Sequence, residues 1–177
     1  HVVTNQASGA RYVHVADVDS DGDTDLLVAS RFDNRIIWYQ NRTIHRSADF
    51  PASGTQTIAD GIDWVDAASA DLDDDGQTDL VLMSDSSLSW YRSNDKDASG
   101  FGGQIIANGL SGGSQATVVD LNHDGRRDLI YVAAFGATLG WYENMGGAPP
   151  SFQSRVINEN AGEITAIQVA DIDGDGD

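Results

Sequence analysis

An acidic stretch with regularly spaced oxygen side chains carries the clearest chemistry in this chain of 177 residues. It reads "ADVDSDGDTDLLVAS" over residues 16–30, with aspartates at alternate positions and a glycine among them. In a tight loop, alternate residues turn their side chains toward one point, and glycine permits the sharp reversal. Carboxylates gathered so closely repel one another unless a cation offsets their charge. The stretch therefore predicts a loop that binds a hard cation through oxygen atoms.

The acidic stretch recurs along the chain at a nearly constant interval. The later copies read "ADLDDDGQTDLVLMS", "VDLNHDGRRDLIYVA" and "ADIDGDGD". Intervals of 54, 49 and 51 residues separate the first aspartates of the four copies, which are Asp17, Asp71, Asp120 and Asp171. A Trp-Tyr pair follows each of the first three copies, at intervals of 52 and 51 residues between Trp38, Trp90 and Trp141. Two motifs with one period indicate a repeat array.

Calcium is the cation that this pattern favours. The aligned copies read D-x-[DN]-x-D-G-x-x-D, which supplies several carboxylates and no histidine or cysteine at a ligand position. Zinc prefers nitrogen and sulfur ligands, and magnesium keeps waters in a rigid octahedron. An EF-hand loop needs glutamate at position 12, where the copies have Val28, Leu82 and Tyr131. The flanking segments have the pattern of strands rather than helices, so these loops are not EF-hands.

Each repeat contains four short segments with strand character. One strand enters the acidic loop, and an apolar run such as "DLLVAS" leaves it, which indicates a strand buried on both faces. The Trp-Tyr strand and a weaker fourth strand, such as "TQTIAD", complete the unit. Four-stranded units of roughly 50 residues predict the blades of an all-β propeller. The predicted blades are residues 8–60, 61–109 and 110–160, with 1–7 as the last strand of a preceding blade and 161–177 as the start of a following one.

The motifs resemble the FG-GAP/VCBS repeats, a family of calcium-binding β-propeller repeats whose wider group includes integrin α-subunit heads and lectin-like propellers. The resemblance rests on D-x-D-x-D-G-x-x-D-L between two strands, followed by a strand similar to "WYEN", and it covers nearly all of the chain. It implies a blade fold with commonly seven blades in a ring, so these three blades are expected to be part of a larger propeller. It also implies calcium in the hairpin that joins the first two strands of a blade.

The resemblance implies one calcium site in each acidic loop, with side chains at positions 1, 3, 5 and 9 and the backbone carbonyl of position 7. The residues are Asp17, Asp19, Asp21, Asp23 and Asp25 in the first loop; Asp71, Asp73, Asp75, Gln77 and Asp79 in the second; and Asp120, Asn122, Asp124, Arg126 and Asp128 in the third. The fourth loop offers Asp171, Asp173, Asp175 and Asp177, and position 9 lies beyond the sequence. Because Asn122 lacks a charge and two arginines stand close by, the third site is expected to be the weakest complete one. Each ion is expected to be structural, so Asp25→Ala should lower thermal stability in calcium and change little in chelator.

The composition narrows the classes of partner and compartment. The formal net charge of −18 comes almost entirely from aspartate, which argues against nucleic acid as a partner because its phosphates would be repelled. The absence of cysteine rules out disulfides and thiolate metal sites. No apolar run reaches the length of a transmembrane helix. The absence of cysteine does not fix the compartment, and it is compatible with a secreted protein. With the resemblance, the calcium loops imply an extracellular protein, either secreted or at the cell surface.

Other candidate residues lie outside the acidic pattern. Trp64 interrupts the repeat in a predicted connection between blades and is the leading single candidate for ligand contact. The Trp-Tyr pairs are expected to pack between blades rather than to stack on sugars. Asn41 begins "NRT" and matches the N-glycosylation pattern. His14, His45 and His123 occupy unrelated repeat positions without a nucleophile in a recognisable motif, so no catalytic residue is predicted.

These features predict a calcium-stabilised scaffold or adhesion module that is not an enzyme. Its specificity is expected in "SRFDNR", "SDSS", "AAFGAT" and the Trp64 connection, on the rim opposite the acidic hairpins. The partner would be a protein or a glycan. Three alternatives stay open: a lectin-like propeller that binds carbohydrate, a self-assembling subunit of an extracellular filament, and the propeller domain of a larger secreted lyase or hydrolase.

Overall fold

The computed structural model describes residues 2–42, 48–51, 54–61, 63–93, 101–135, 137–162, 164 and 166–172, which form three four-stranded antiparallel sheets with their strands in chain order. Sheet 1 contains β1 (Ala10–Ala16), β2 (Asp25–Ser30), β3 (Arg35–Tyr39) and β4 (Thr55–Asp60). Sheet 2 contains β5 (Trp64–Ala70), β6 (Asp79–Ser84), β7 (Ser87–Ser93) and β8 (Phe101–Asn108). Sheet 3 contains β9 (Gly113–Val119), β10 (Asp128–Ala133), β11 (Thr138–Asn144) and β12 (Phe152–Asn158). The all-β fold predicted from the sequence is confirmed, with each sheet forming one propeller blade.

The second strand of each blade lies in the apolar interior. β6 and β10 are buried at every residue, and β2 is buried at all but Leu26. Leu80 and Leu82 of β6 belong to the core shared with sheet 1, whereas Val81 and Met83 belong to the core shared with sheet 3. Successive side chains of a strand point to opposite faces, so sheet 2 is packed between the other two sheets. This two-sided burial is the physical reason for the continuous apolar runs in the sequence.

Two of the three tryptophans of the Trp-Tyr strands, Trp38 and Trp90, pack between neighbouring blades. Trp38 lies in the core that sheet 1 shares with Leu82 of sheet 2, and Trp90 lies in the core that sheet 2 shares with Leu129 of sheet 3. Both side chains are almost completely buried. They are therefore part of the packing between blades, as expected, and do not offer a surface for a sugar.

Polar side chains on the first strands connect each blade to the next. Asp66 on β5 accepts a hydrogen bond from the backbone N–H of Ala116 on β9 (2.8 Å). Tyr12 on β1 lies close to the same carboxylate, and burial together with this negative charge raises the pKa of Tyr12 to about 12. Gln115 holds the repeat position of Asp66 in the third blade and bonds the backbone N–H and carbonyl of Ile167 (2.8 and 3.2 Å). One repeat position therefore makes the same kind of connection twice, and the second reaches the fourth repeat.

The two ends of the described chain do not form the strands expected there. Residues 2–7 form no strand, and Ala7 instead packs against Val28, Ile37 and Tyr39 on the outer face of sheet 1. The described residues of 161–172 also contain no strand, although Ile167 is bonded to Gln115. A strand requires a neighbour that pairs with its backbone, and neither stretch has one among the described sheets. The assignment of residues 1–7 to a preceding blade and of residues 161–177 to a following one therefore stays a prediction.

Helices contribute almost nothing to the described fold. Within the described ranges, no helix is long and apolar enough to cross a membrane.

Candidate metal centres

Each acidic loop closes the hairpin between the first two strands of a blade. The loops are loop 1 (residues 17–25), loop 2 (71–79) and loop 3 (120–128), and the last residue of each is the first residue of the second strand. That residue pairs across the hairpin with the residue before the loop, as Ala16 with Asp25, Ala70 with Asp79 and Val119 with Asp128. The three loops therefore lie at equivalent ends of the three blades.

The first and fifth residues of each loop organise its backbone. Asp17 accepts hydrogen bonds from the N–H groups of Asp21 and Gly22 (3.1 and 3.0 Å), and Asp21 accepts one from Asp23 (2.9 Å). Loops 2 and 3 repeat all three bonds at 2.7–3.1 Å. The glycine at position 6 has a φ between 83° and 93° in the three loops, a conformation that residues with a Cβ rarely adopt. The repeated sequence thus produces the same loop conformation three times.

Loops 1 and 2 each gather three carboxylates that could share one cation. The groups are Asp17, Asp19 and Asp21 in loop 1, and Asp71, Asp73 and Asp79 in loop 2, each with ligand oxygens within 4.8 Å of one another. Asp19 Oδ1 and Asp73 Oδ1 are buried and have no hydrogen-bond partner within the described structure. A buried oxygen without a partner is costly, and a bound cation would provide the missing interaction. The residues present therefore fit calcium in these two loops.

The last aspartate of each loop has a structural role that the sequence analysis missed. Asp25, Asp79 and Asp128 are fully buried, at 0 % exposure. Asp79 Oδ2 accepts a hydrogen bond from the N–H of Leu72, and its Oδ1 accepts one from the N–H of Ser93 on β7 (3.2 and 2.9 Å). The same two bonds recur in the other loops, from Val18 and Asn41 to Asp25 and from Leu121 and Asn144 to Asp128. Each of these aspartates therefore joins its loop to the end of the third strand or, in the first blade, to Asn41 just after it.

Burial raises the pKa of these aspartates even though the N–H donors oppose the shift. The pKa of Asp25 and that of Asp79 are raised to about 6, and the pKa of Asp128 is raised in the same direction. An indole lies beside each carboxylate and favours its charged form, although the indole nitrogens of Trp38, Trp90 and Trp141 form no well-aligned hydrogen bond. The tryptophan motif has the period of the acidic loop because the two side chains are neighbours in space.

The expected effect of Asp25→Ala changes once these contacts are known. The carboxylate of Asp25 accepts N–H groups from Val18 and Asn41 whether or not a cation is bound. Its removal leaves two buried donors without an acceptor, which is costly under all conditions. The substitution should therefore reduce stability in chelator as well as in calcium.

A second feature missed from the sequence is the residue after each Trp-Tyr pair, which contacts position 3 of the loop. Gln40 donates a hydrogen bond to Asp19. Arg92 forms an ion pair with Asp73, and its Nη2 lies 2.8 Å from Asp75 Oδ2. In the third blade the direction of the hydrogen bond is reversed: Asn122 at position 3 donates it, and Glu143 accepts it (3.2 Å). The sequence could have indicated this contact. The residue after the Trp-Tyr pair is a hydrogen-bond donor where position 3 is aspartate, and it is glutamate where position 3 is asparagine.

Loop 3 has the same backbone and a different charge arrangement. Asn122 is exposed and donates a hydrogen bond to Asp124 Oδ2 (3.0 Å), which also forms an ion pair with the Arg126 guanidinium. The pKa of Asp124 lies below its usual range, chiefly because the backbone N–H of Arg126 donates to it. The described part of loop 3 contains no group of three acidic side chains like those of loops 1 and 2. The position-7 residues Asp23, Gln77 and Arg126 donate their N–H groups to position 5, and their carbonyls stay predicted ligands.

Several predicted residues lie outside the described structure. Asp173, Asp175 and Asp177 fall in the undescribed range 173–177, so only Asp171 of the fourth loop is described. The backbone of Trp64 begins β5, and its side chain lies outside the described atoms. The metal role of the fourth loop and the contact role of Trp64 therefore stay predictions.

Asn41 occupies a buried position instead of an exposed turn. It is 6 % exposed, its Nδ2 donates to the carbonyl of Thr24 (3.0 Å), and its Oδ1 accepts the N–H of Asp49 (3.0 Å). Asn144 holds the same place in the third blade and donates to the carbonyl of Arg127 (3.1 Å). These contacts give Asn41 a role in holding the loop, and they disfavour a glycan on its amide nitrogen.

One histidine does meet a hydroxyl group, contrary to the expectation from the sequence. His14 Nε2 lies 2.9 Å from Ser69 Oγ, between the first strands of sheets 1 and 2. Burial lowers the pKa of His14 below its usual value. Among the contacts of the described residues, no carboxylate orients this imidazole, and such an orienting group is the third part of a hydrolytic triad. The pair therefore connects two blades and is not assigned a catalytic role.

The opposite rim brings the predicted contact segments together around a cavity of about 480 Å³. Its lining includes Arg31 from "SRFDNR", Asp85 from "SDSS", Phe135 from "AAFGAT", and Asp63 from the connection that precedes β5. These residues come from all three blades, and the turns after each second strand lie at the strand end away from the acidic loops. We call this cavity the rim pocket.

Three four-stranded blades, each with an acidic hairpin between its first two strands, define a repeat protein of the β-propeller class. The chain matches the family model of the FG-GAP-like repeat over residues 17–82, 71–131 and 120–177, and so belongs to that family. The resemblance stated from the sequence is thereby confirmed. No curated protein matches the chain.

Proposed function

We propose that this chain is a calcium-stabilised β-propeller module that acts outside the cell as a non-catalytic adhesion scaffold. The observation that carries the calcium role is the pair of buried, unpartnered oxygens, Asp19 Oδ1 and Asp73 Oδ1, within the two three-carboxylate groups. One divalent cation in each loop would satisfy the unpartnered oxygen of that loop and offset the mutual repulsion of its aspartates. Because binding to the folded state alone adds stability by mass action, calcium would stabilise the blades.

Loops 1 and 2 are the proposed principal sites, and loop 3 the weaker one. In loop 3 the Arg126 guanidinium already neutralises Asp124, and Asn122 brings no charge. A cation would have to displace this arginine before Asp124 could bind it. The fourth loop, which begins at Asp171, repeats the acidic spacing of loop 1 and is proposed as a further site.

Calcium titration with two neighbouring substitutions tests the metal role. Asp73 and Asp74 are adjacent aspartates of loop 2, and Asp73 belongs to the carboxylate group whereas Asp74 is exposed with a φ of 58°. Both Asp73→Asn and Asp74→Asn remove one negative charge. Calorimetry should show calcium affinity at loop 2 weakened roughly tenfold by Asp73→Asn and nearly unchanged by Asp74→Asn. Equal effects of the two variants would show that calcium responds only to net charge and would rule out this site.

The role as an extracellular scaffold is supported by the kind of site proposed, an acidic calcium loop repeated in each blade. Calcium loops of extracellular modules typically bind with dissociation constants of about 10⁻⁴–10⁻³ M, which suits the calcium concentration outside cells. The strong negative charge favours a soluble surface that repels polyanions. Immobilised chain should retain its partner from an extracellular fraction in millimolar calcium and release it in chelator.

Self-assembly is the form of adhesion that the same module could perform without another protein. Light scattering of the native particle in millimolar calcium and in chelator measures it directly. A mass well above one chain that falls in chelator would support calcium-dependent assembly. A single-chain mass in calcium would remove the filament alternative and leave a scaffold for other partners.

A further inference from the structure

We propose that the rim pocket is a binding site for a neutral saccharide. This inference rests on the proposed function as an adhesion module and adds the class of ligand that the module would recognise. The pocket volume of about 480 Å³ lies within the range of small-molecule sites, about 300–1,000 Å³. Its lining residues come from equivalent turns and strand starts of three consecutive blades.

The charges around the pocket are balanced, and this favours a neutral ligand. Arg11 and Arg31 face the same space as Asp63 and Asp85. Arg31 Nε and Asp63 Oδ2 are 3.5 Å apart, and both side chains are about half exposed, which leaves most of their hydrogen-bonding groups free for other partners. An anion would meet two carboxylates and a chain of net charge −18, and a cation would meet two guanidinium groups. A ligand without charge avoids both penalties.

The polar groups of the wall favour a ligand rich in hydroxyl groups. Guanidinium groups only donate hydrogen bonds, ionised carboxylates only accept them, and a hydroxyl group does both. Ser114 Oγ and Asp63 Oδ1 are buried at this wall and have no hydrogen-bond partner within the described residues. A saccharide, which carries several hydroxyls in fixed positions, could complete both kinds of bond at once.

Phe135 gives the pocket an exposed aromatic surface. Its side chain is 82 % exposed, and it rests on Gly112, where an added Cβ would lie 2.5 Å from the ring. Gly112 also has a φ of 71°, so a side chain is disfavoured there for a second reason. The backbone beneath the ring holds it in place without covering it. An exposed aromatic ring held in this way can stack on the apolar face of a sugar.

The chain supplies a matched control for this aromatic ring. Phe32 holds the corresponding turn of the first blade, is 77 % exposed, and rests on Gly9, where an added Cβ would lie 2.7 Å from the ring. Phe32 does not line the rim pocket. Phe32→Ala and Phe135→Ala therefore each remove an exposed phenylalanine side chain from corresponding turns of two blades. Only Phe135→Ala alters the rim pocket.

Binding of the full chain to an array of neutral, sialylated and sulfated glycans in millimolar calcium tests the proposal. We expect neutral glycans to bind, with affinity reduced roughly tenfold or more by Phe135→Ala and by Asp85→Asn, and unchanged by Phe32→Ala. Binding confined to sulfated or sialylated glycans would overturn the assignment of a neutral ligand. Absence of glycan binding, or equal losses in the two phenylalanine variants, would overturn the pocket.

The saccharide site and the calcium role can each be refuted without refuting the other. The thermal stabilisation of the same protein samples by calcium is measured without glycan, and it depends on Asp73 rather than on Phe135. A chain that is stabilised by calcium and binds no glycan would refute the saccharide site alone. A chain that binds neutral glycan and gains no thermal stability from calcium would retain the saccharide site and refute the calcium role.

Discussion

Loops 2 and 3 have one backbone conformation and two different charge arrangements. Both fold around the same set of backbone hydrogen bonds from positions 1, 5 and 9. Loop 2 contains five aspartates and meets Arg92 from β7, whereas loop 3 contains three aspartates and two arginines of its own. The loop conformation is therefore set by aspartates at positions 1, 5 and 9 that both loops share, whereas the charge that each loop offers to a cation differs at positions 3 and 7. Loop conformation and the proposed binding of calcium are separate properties of this repeat.

The largest effect is a loss of stability, and it is expected from the aspartate at position 9 that loops 2 and 3 share. Asp79→Ala and Asp128→Ala should each destabilise the chain by about 3 kcal/mol in calcium and in chelator, because each leaves two buried N–H groups without an acceptor. Urea denaturation of both variants measures this loss, with the exposed Asp74→Ala as the control. A loss seen only in calcium would mean that these aspartates act through the metal alone.

The next largest effect is expected from giving loop 3 the charges of loop 2. The double variant Asn122→Asp with Arg126→Gln restores a carboxylate at position 3 and removes the guanidinium from Asp124. Calorimetry should show the calcium affinity of loop 3 rising roughly tenfold. The control combines Asn122→Asp with Arg127→Gln, which changes the charge equally and leaves the ion pair of Arg126 intact. Equal gains in the two double variants would contradict a specific role for Arg126.

A smaller effect is expected from Arg92→Gln, which gives the second blade the residue that Gln40 provides in the first. Arg92 is paired with Asp73 and Asp75 and competes with a cation for both carboxylates. Its replacement should raise calcium affinity at loop 2 and lower stability in chelator, because the aspartates lose their counter-charge. Calcium titration and thermal unfolding in chelator check the two parts separately. A fall in calcium affinity would show that Arg92 supports the site instead.

The smallest effect is expected from Arg155→Gln beside loop 3. Arg155 Nη2 lies 2.6 Å from Glu143 Oε2, on an exposed part of β12, and exposed ion pairs contribute little. The substitution frees Glu143 next to Asn122 and should raise the calcium affinity of loop 3 slightly, by less than the double variant does. An increase as large as that of the double variant would assign Glu143 a direct part in binding calcium.

Much of this fold could be predicted from the sequence because its signals are local and repeated. The spacing of aspartates and glycine determines a loop whose backbone bonds span only two to five residues. The period of that loop and of the Trp-Tyr pair indicates the number of blades. Continuous apolar runs indicate that a strand lies between two neighbours, as β6 does. Each of these inferences needs only short-range chemistry and counting.

Only the tertiary structure decided which side chains face each acidic loop and each neighbouring blade. Arg92 is 19 residues from Asp73, and Asp66 is 50 residues from Ala116, so neither contact follows from local spacing. The same holds for the buried aspartates Asp25, Asp79 and Asp128, which accept N–H groups at the end of the third strand or just after it, from Asn41, Ser93 and Asn144. It also holds for the rim pocket, which forms where turns from three blades meet. These features depend on how the sheets pack against one another, and that packing is decided by the whole set of long-range contacts.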